Sequence, residues 1–237
     1  MEKSFWGKMA VTTCIFDAYG TLFDVTAAAR IAATEDSTTD LLDNWPKLAQ
    51  IWRAKQLEYS WIRAITGLHT NFWEVTIDGL DFALEALKLD KNLLLRQRLL
   101  QLYNELQAFP EVTQMLWRLK QQGMNTAILS NGSPTMLQSA VETACIAENL
   151  DAVLSVEAVG IYKPHVSVYD LVGQQFSCNK EEVLFVSANG WDVSAATGYG
   201  FETVWVNRMD NPIDRLPFRP KHVRKDLFDI PDLAVKI

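Results

Sequence analysis

The chain has 237 residues with 22 Lys+Arg against 29 Asp+Glu, a formal charge of −7, and 49% of its residues are apolar. That composition excludes disordered, collagenous and mucin-like chains, and the length suits one large α/β domain or a core domain with a smaller insertion. The acidic balance, with no Lys/Arg cluster, argues against a nucleic-acid partner, and no apolar run approaches the ~20 residues of a membrane helix.

Residues 1–9 carry Lys3 and Lys8 but no apolar stretch, so no signal peptide is expected, and Met9 is a second candidate start. Cys14, Cys145 and Cys178 are odd in number, widely spaced and without a CxxC pair. They read as buried small hydrophobes in a reducing cytoplasm rather than as a disulfide framework or a thiolate zinc site.

Residues 11–16 form a short apolar run ending at Asp17, with Gly20-Thr21 after it, which predicts a buried strand and a turn. From residue 24 to 108 proline is reduced to Pro46 and helical patterns take over. One ridge runs through Leu48, Ile51, Trp52, Ile62 and Ile65, and a second through Leu57, Trp61 and Ala64 with Arg53 at its head. Such a helix is expected to be packed on more than one side. Further helices are predicted near residues 72–87 and 92–106. Beyond Pro110, short strands alternate with helices: strands at 126–129, 152–156, 183–186 and 203–206, helices after Pro134, at 165–175 and near 191–198. The tail after Asn211 reads as irregular surface. This alternation predicts a parallel, doubly wound sheet, interrupted after its first strand by a helical insertion.

In an open parallel sheet, ligands bind outside the carboxyl ends of the strands. Four polar clusters fall at that edge: Asp17-Ala18-Tyr19-Gly20-Thr21, Ser130-Asn131-Gly132, Lys163-Pro164 and Ser187-Ala188-Asn189-Gly190-Trp191-Asp192. A single Asp after a strand can be a turn residue or a helix cap, but four such clusters in succession are hard to explain as loop composition.

These four clusters, in this order, resemble the four motifs of the haloacid dehalogenase superfamily. The segment from Trp52 to Tyr59 and the later Asn71-Phe72 are similar to the cap signature of the (S)-2-haloacid dehalogenases. The resemblance covers nearly the whole chain. It implies a Rossmann-like α/β core at residues 1–23 and 109–237, and a helical cap at 24–108.

Independent of the resemblance is the chemistry of two positions. A phosphatase of this superfamily has a second Asp two residues after the nucleophile, to protonate an alkoxide, and an acid early in the last motif, to bind Mg²⁺. Here those positions hold Tyr19 and Ala188. A halide leaves without a proton, and few hard oxygen ligands remain for Mg²⁺. Both losses favour carbon–halogen cleavage, and no metal or other cofactor is expected.

The expected reaction is attack by the Asp17 carboxylate on the halogen-bearing carbon of an (S)-2-haloalkanoate, followed by hydrolysis of the aspartyl ester to an (R)-2-hydroxy acid. Thr21 is read as orienting Asp17 and Lys163 as pairing with it. The resemblance further implies that Ser130 and the backbone of Ala18 and Tyr19 hold the substrate carboxylate, that Asn131 completes the site, and that Arg53 receives the halide. Tyr19, Leu57, Phe72 and Trp191 are candidate dry walls, although Leu57 fits a core position equally well. Tyr169, Ser187, Asn189 and Asp192 match positions implicated in the reaction. Asp192 is the candidate to activate water, through Asn189 or Lys163, and it also fits the cap of its helix. Ala188 and Ser167 depart from the family pattern, where a second serine and an arginine are common. His69, His165 and His222 are scattered and suggest neither a metal site nor a triad.

Two rival readings are a Mg²⁺-dependent phosphatase of the same superfamily and a non-catalytic binding protein for small carboxylates. A nucleotide-binding dehydrogenase is disfavoured because no GxGxxG follows the first strand. The apolar cap helices and the resemblance together suggest a homodimer.

Overall fold

Thr13, Cys14, Ile15 and Phe16 are all buried and form β1 (Thr13–Phe16). A strand without a solvent face must lie inside a sheet covered on both sides. In the computed structural model, which describes residues 10–35 and 41–237, β1 lies at the middle of a six-stranded sheet. The reading of residues 1–8 lies outside the described residues.

The other strands are β2 (Asn125–Ser130), β3 (Ala152–Ser155), β4 (Val183–Ser187), β5 (Glu202–Val206) and β6 (His222–Arg224). Their order is β3-β2-β1-β4-β5-β6 and every pairing is parallel. Helices α5 (Val112–Gln121), α6 (Pro134–Thr143), α7 (Val166–Phe176) and α8 (Gly190–Tyr199) pack on the sheet. This is the doubly wound α/β arrangement that the alternation of elements predicts.

Between β1 and α5 the chain makes α1 (Ala27–Ala32), α2 (Trp45–Thr66), α3 (Phe72–Ala86) and α4 (Leu93–Asn104). The chain leaves and re-enters the sheet layer at paired segments. The Asp24 amide donates to the Gln107 carbonyl at 3.1 Å, the Phe109 amide donates to the Leu22 carbonyl at 2.9 Å, and Phe23 bridges Ala108. On this paired crossing we propose the division into a core, 1–23 and 109–237, and a cap, 24–108.

Two sequence expectations need correction. Ile62 and Ile65 do not lie on a packed ridge: they are 55% and 81% exposed. The buried stripe of α2 is Leu48, Trp52, Gln56 and Ser60. Two of these are polar, and they are tolerated because they are paired. Gln56 Nε2 donates to Thr76 Oγ1 at 2.9 Å and to Tyr103 Oη at 3.1 Å, and the Ser60 hydroxyl donates to the Leu57 carbonyl. Apolar periodicity cannot mark such a stripe. The second correction concerns the tail, which is not wholly irregular. It supplies β6 and the short helix α9 (Ile230–Ala234), which packs near α5. A three-residue edge strand, part-exposed throughout, leaves no alternating pattern to read.

Gln56 ties α2, α3 and α4 together through one amide. Replacing it by Ala takes one hydrogen-bond partner from each of the buried Thr76 and Tyr103 hydroxyls, at a cost of about 2 kcal/mol. The Gln56→Ala variant is expected to melt roughly 4–8 °C lower in calorimetry. An unchanged midpoint would show that the three cap helices do not depend on this network.

Candidate active site

Asp17 stands one residue beyond β1. Its amide donates to the Val186 carbonyl at 3.0 Å, so the β1–β4 ladder runs on through it. β1 is the strand from which the order runs out in both directions, and the crevice between β1 and β4 is where such sheets bind ligands.

Both carboxylate oxygens of Asp17 are held. Oδ2 accepts from Thr21 Oγ1 and from Asn189 Nδ2, each at 2.8 Å. Oδ1 faces Lys163 Nζ at 3.4 Å. Thr21 reaches back because the chain turns tightly: the Ala18 carbonyl accepts from the amides of Thr21, Leu22 and Phe23. Gly20 has φ +88°, a conformation that an L side chain resists. The Thr21 hydroxyl also accepts from the Ala188 amide at 2.8 Å, so one side chain joins the first and last motifs. Arg208 braces this turn, donating to the Thr21 carbonyl at 3.1 Å and to Glu111 at 2.7 Å.

Lys163 is 1% exposed and lies between two carboxylates, Asp17 and Asp192. Its Nζ is 2.8 Å from Asp192 Oδ2, and Tyr169 donates to Asp192 Oδ1 at 2.7 Å. Complete burial pushes the Asp192 carboxyl above its ordinary range, Lys163 draws it back, and Asp17 adds to the rise. Burial beside Asp192 holds the Tyr169 phenol well above its usual value, so it remains a donor. The main chain of Lys163 is fixed as well: its amide donates to Asn131 Oδ1 at 2.9 Å. Asn131 thus anchors the lysine loop.

From the cap, Arg53 Nη2 donates to the Tyr19 carbonyl at 3.2 Å and to Asn189 Oδ1 at 3.0 Å. Asn189 is therefore shared between Arg53 and Asp17. Ser187 is fully buried and accepts from the Asn189 amide at 3.1 Å, so it shapes the Asn189 turn and makes no direct bond to Asp17. Ser130 Oγ accepts from the Gly132 amide at 3.1 Å and keeps its own proton to donate. Among the described residues, the amides of Ala18 and Tyr19 have no acceptor, although both residues are buried. Two adjacent free N–H groups beside a carboxylate form a ready anion cradle.

Tyr19 makes a wall. Its ring lies 5.8 Å from Tyr103 and 6.0 Å from Phe72. Gly132 lets it approach, since a Cβ there would fall 2.8 Å from the Tyr19 ring. Leu57 is half-buried on the Arg53 stripe of α2. Trp191 is half-buried too, and meets Trp61 edge-on at 5.5 Å.

Sequence reasoning missed the contacts that seat the cap on the lysine loop. Tyr162, next to Lys163, donates its hydroxyl to the Thr70 carbonyl. His69 pairs with Glu157 at 3.1 Å and lies 4.8 Å from the Tyr162 ring. A histidine just before the Asn71-Phe72 signature was the available signal. The cysteine expectation also needs correction. Cys14 is buried, with its thiol pushed up to about 12, but Cys178 is only part-buried and Cys145 is exposed, in the turn of positive φ that follows α6.

Among the described residues, no group of three or more His, Cys, Asp or Glu comes together as a cation site. The donor set does not suit Mg²⁺: Tyr19 and Ala188 occupy two positions where acids would be needed, and the Lys163 ammonium sits between the two carboxylates that are present.

The family model of haloacid dehalogenase-like hydrolases matches residues 11–200. An (S)-2-haloacid dehalogenase of Pseudomonas sp. (strain CBS-3) is 40% identical over 228 residues, covering 96% of this chain and 98% of its own. One from Burkholderia cepacia is 38% identical over 96% of both chains. The solved L-2-haloacid dehalogenase from Xanthobacter autotrophicus with chloropropionic acid covalently bound superposes with a TM-score of 0.84. It is 35% identical, over 94% of this chain and 98% of that one. A likeness that spans the sheet, the cap helices and every strand end that carries the cluster around Asp17 has one meaning: this chain belongs to the (S)-2-haloacid dehalogenases of the haloacid dehalogenase-like hydrolase family.

Proposed function

We propose that the chain hydrolyses (S)-2-haloalkanoic acids to (R)-2-hydroxyalkanoic acids and halide through an ester on Asp17. The observation that carries this reading is a carboxylate fixed by Thr21, Asn189 and Lys163, with a phenol rather than an acid at position 19. Burial keeps the Tyr19 phenol protonated, and a halide needs no proton to leave.

In the first step an Asp17 oxygen forms a bond to the halogen-bearing carbon, the carbon–halogen bond breaks, and halide departs with its electron pair. Positioning supplies much of the rate, because a carboxylate is a modest nucleophile. The substrate carboxylate sits on the Ala18 and Tyr19 amides and the Ser130 hydroxyl. Arg53 receives the halide. Tyr19 and Phe72, with Leu57 and Trp191 on the outer side, keep the pocket dry and strengthen these interactions.

In the second step water adds to the ester carbonyl of Asp17. Asp192 is fully buried and both its oxygens are occupied, so it acts through Lys163. Lys163 takes a proton from water as it passes one to Asp192, whose raised pKa lets it keep that proton. The ester C–O bond breaks, the departing alkoxide oxygen takes the proton back from Asp192 through Lys163 and leaves as the hydroxy acid, and the second proton of the water is lost from the Asp17 carboxyl to solvent. Asn189, Ser187 and Tyr169 hold these groups in place.

The exposed Ile62, Leu68 and Phe82 on α2, α3 and the turn between them, with Leu93 and Leu94 on α4, support a homodimer. No described helix is long and apolar enough to cross a membrane.

With racemic 2-chloropropionate in excess chelator, chloride release is expected to stop at half conversion, leaving the (R) substrate and forming (R)-lactate. Full conversion, or dependence on Mg²⁺, would overturn the reading. Asp17→Asn is expected to lose at least about 10³-fold in kcat, a conservative figure for removing a covalent nucleophile. The acid limb of the kcat profile should lie above the ordinary aspartate value of 3.8, because the acceptor Asp192 must start ionised. The Tyr169 hydrogen bond favours that ionised form, so Tyr169→Phe is expected to move the acid limb to higher pH. A limb that stays in place in Tyr169→Phe would remove Asp192 from the proton path.

A further inference from the structure

Outside the Trp61–Trp191 contact lies an open cleft of about 740 Å³ with an almost wholly apolar lining. Four separate segments face it: Trp61 and Ile65 from α2, Pro164 from the lysine loop, Ala195 from α8, and Phe218 from the tail. Ile65 is 81% exposed and Phe218 51%. Isolated apolar side chains on a surface need no explanation, but four segments turned toward one space form a built wall.

Residues that line the cleft are chain neighbours of the reaction site. Pro164 follows Lys163, and Trp191 precedes Asp192. Arg53, Leu57 and Trp61 occupy successive turns of one face of α2, so Trp61 lies about 12 Å along the helix from Arg53. The indole N–H groups of Trp61 and Trp191, both lining residues, are buried without an acceptor among the described residues. The rings are therefore placed by packing against each other, and no hydrogen bond locks either one. The volume falls within the usual range for a small-molecule site and far exceeds what a methyl substituent fills.

We propose that this cleft binds the tail of 2-halo acids bearing a long alkyl substituent, with Trp61 and Trp191 as the gate that sets chain length. The proposal rests on the reaction proposed above. The carboxylate and halogen stay at the polar end, on the Ala18 and Tyr19 amides and Arg53. A short chain ends before the indole pair. A longer one passes between the indoles and lies on Ile65 and Phe218.

The test compares (S)-2-bromopropionate with (S)-2-bromooctanoate in the wild type and in an Ile65→Asp, Phe218→Asp double variant, whose altered side chains are exposed. The wild type is expected to release bromide from both. The double variant should keep its kcat/KM on bromopropionate within about twofold and lose about tenfold or more on bromooctanoate, as several methylenes lose their apolar wall. Three results would overturn the proposal: a wild type that turns over bromopropionate alone, an equal loss on both acids, or an unchanged chain-length profile with the dimer lost in sedimentation. The last would make the cleft a face for a second copy of the chain. If neither acid releases bromide, the proposed reaction fails, and titration with octanoate then decides the cleft. Quenching of tryptophan fluorescence in the wild type and not in the double variant supports a tail site; no quenching in either removes it.

Discussion

One buried cation, Lys163, is shared by two buried carboxylates, Asp17 and Asp192. Charges this deep are tolerated only when paired and hydrogen-bonded, and removing one member of such a set leaves the others uncompensated. The surrounding geometry answers that demand. Thr21 and Asn189 take the second oxygen of Asp17, Tyr169 takes the second oxygen of Asp192, and the Phe185 ring lies 5.0 Å beneath the ammonium. Asn131 anchors the lysine backbone. These groups come from the segments that follow β1, β2 and β4, from β4 itself, from the lysine loop and from α7 and α8, so the sheet must be complete before the cluster can exist.

The cap completes what the core leaves open. Arg53 adds a second cation beside Asn189, while Tyr162–Thr70 and His69–Glu157 seat the cap on the loop that carries Lys163. Arg208 joins the Thr21 turn to Glu111, just beyond the point where the chain returns from the cap. The aromatic set of Tyr19, Phe72, Tyr103 and Trp52 fills the space between cap and core without supplying an acid. A dry, cationic pocket with no acid at position 19 suits a leaving group that departs already charged.

The strands and the four polar clusters were legible because buried parallel strands are short apolar runs and site residues follow their carboxyl ends. Asp17, Thr21, Lys163 and Asp192 could be placed on that ground. Specific partners could not. Asn131 bonds a backbone amide of the lysine loop, and Ser187 a backbone amide two residues on, contacts that depend on turn geometry rather than residue type. The buried face of α2 was misread because Gln56 and Ser60 lie on it, satisfied by partners far away in sequence or on the same helix. The edge strand β6 and the helix α9 were missed because elements of three and five residues carry no measurable period.

The most direct measurement is a single turnover of excess enzyme with (S)-2-chloropropionate in water labelled with heavy oxygen, followed by mass analysis of the lactate and of the peptide containing Asp17. Attack by Asp17 on carbon and hydrolysis at its carbonyl place an unlabelled enzyme oxygen in the lactate hydroxyl and leave the label on Asp17. Labelled lactate with an unlabelled Asp17 would mean that water attacks carbon directly, and would contradict the covalent role assigned to that carboxylate.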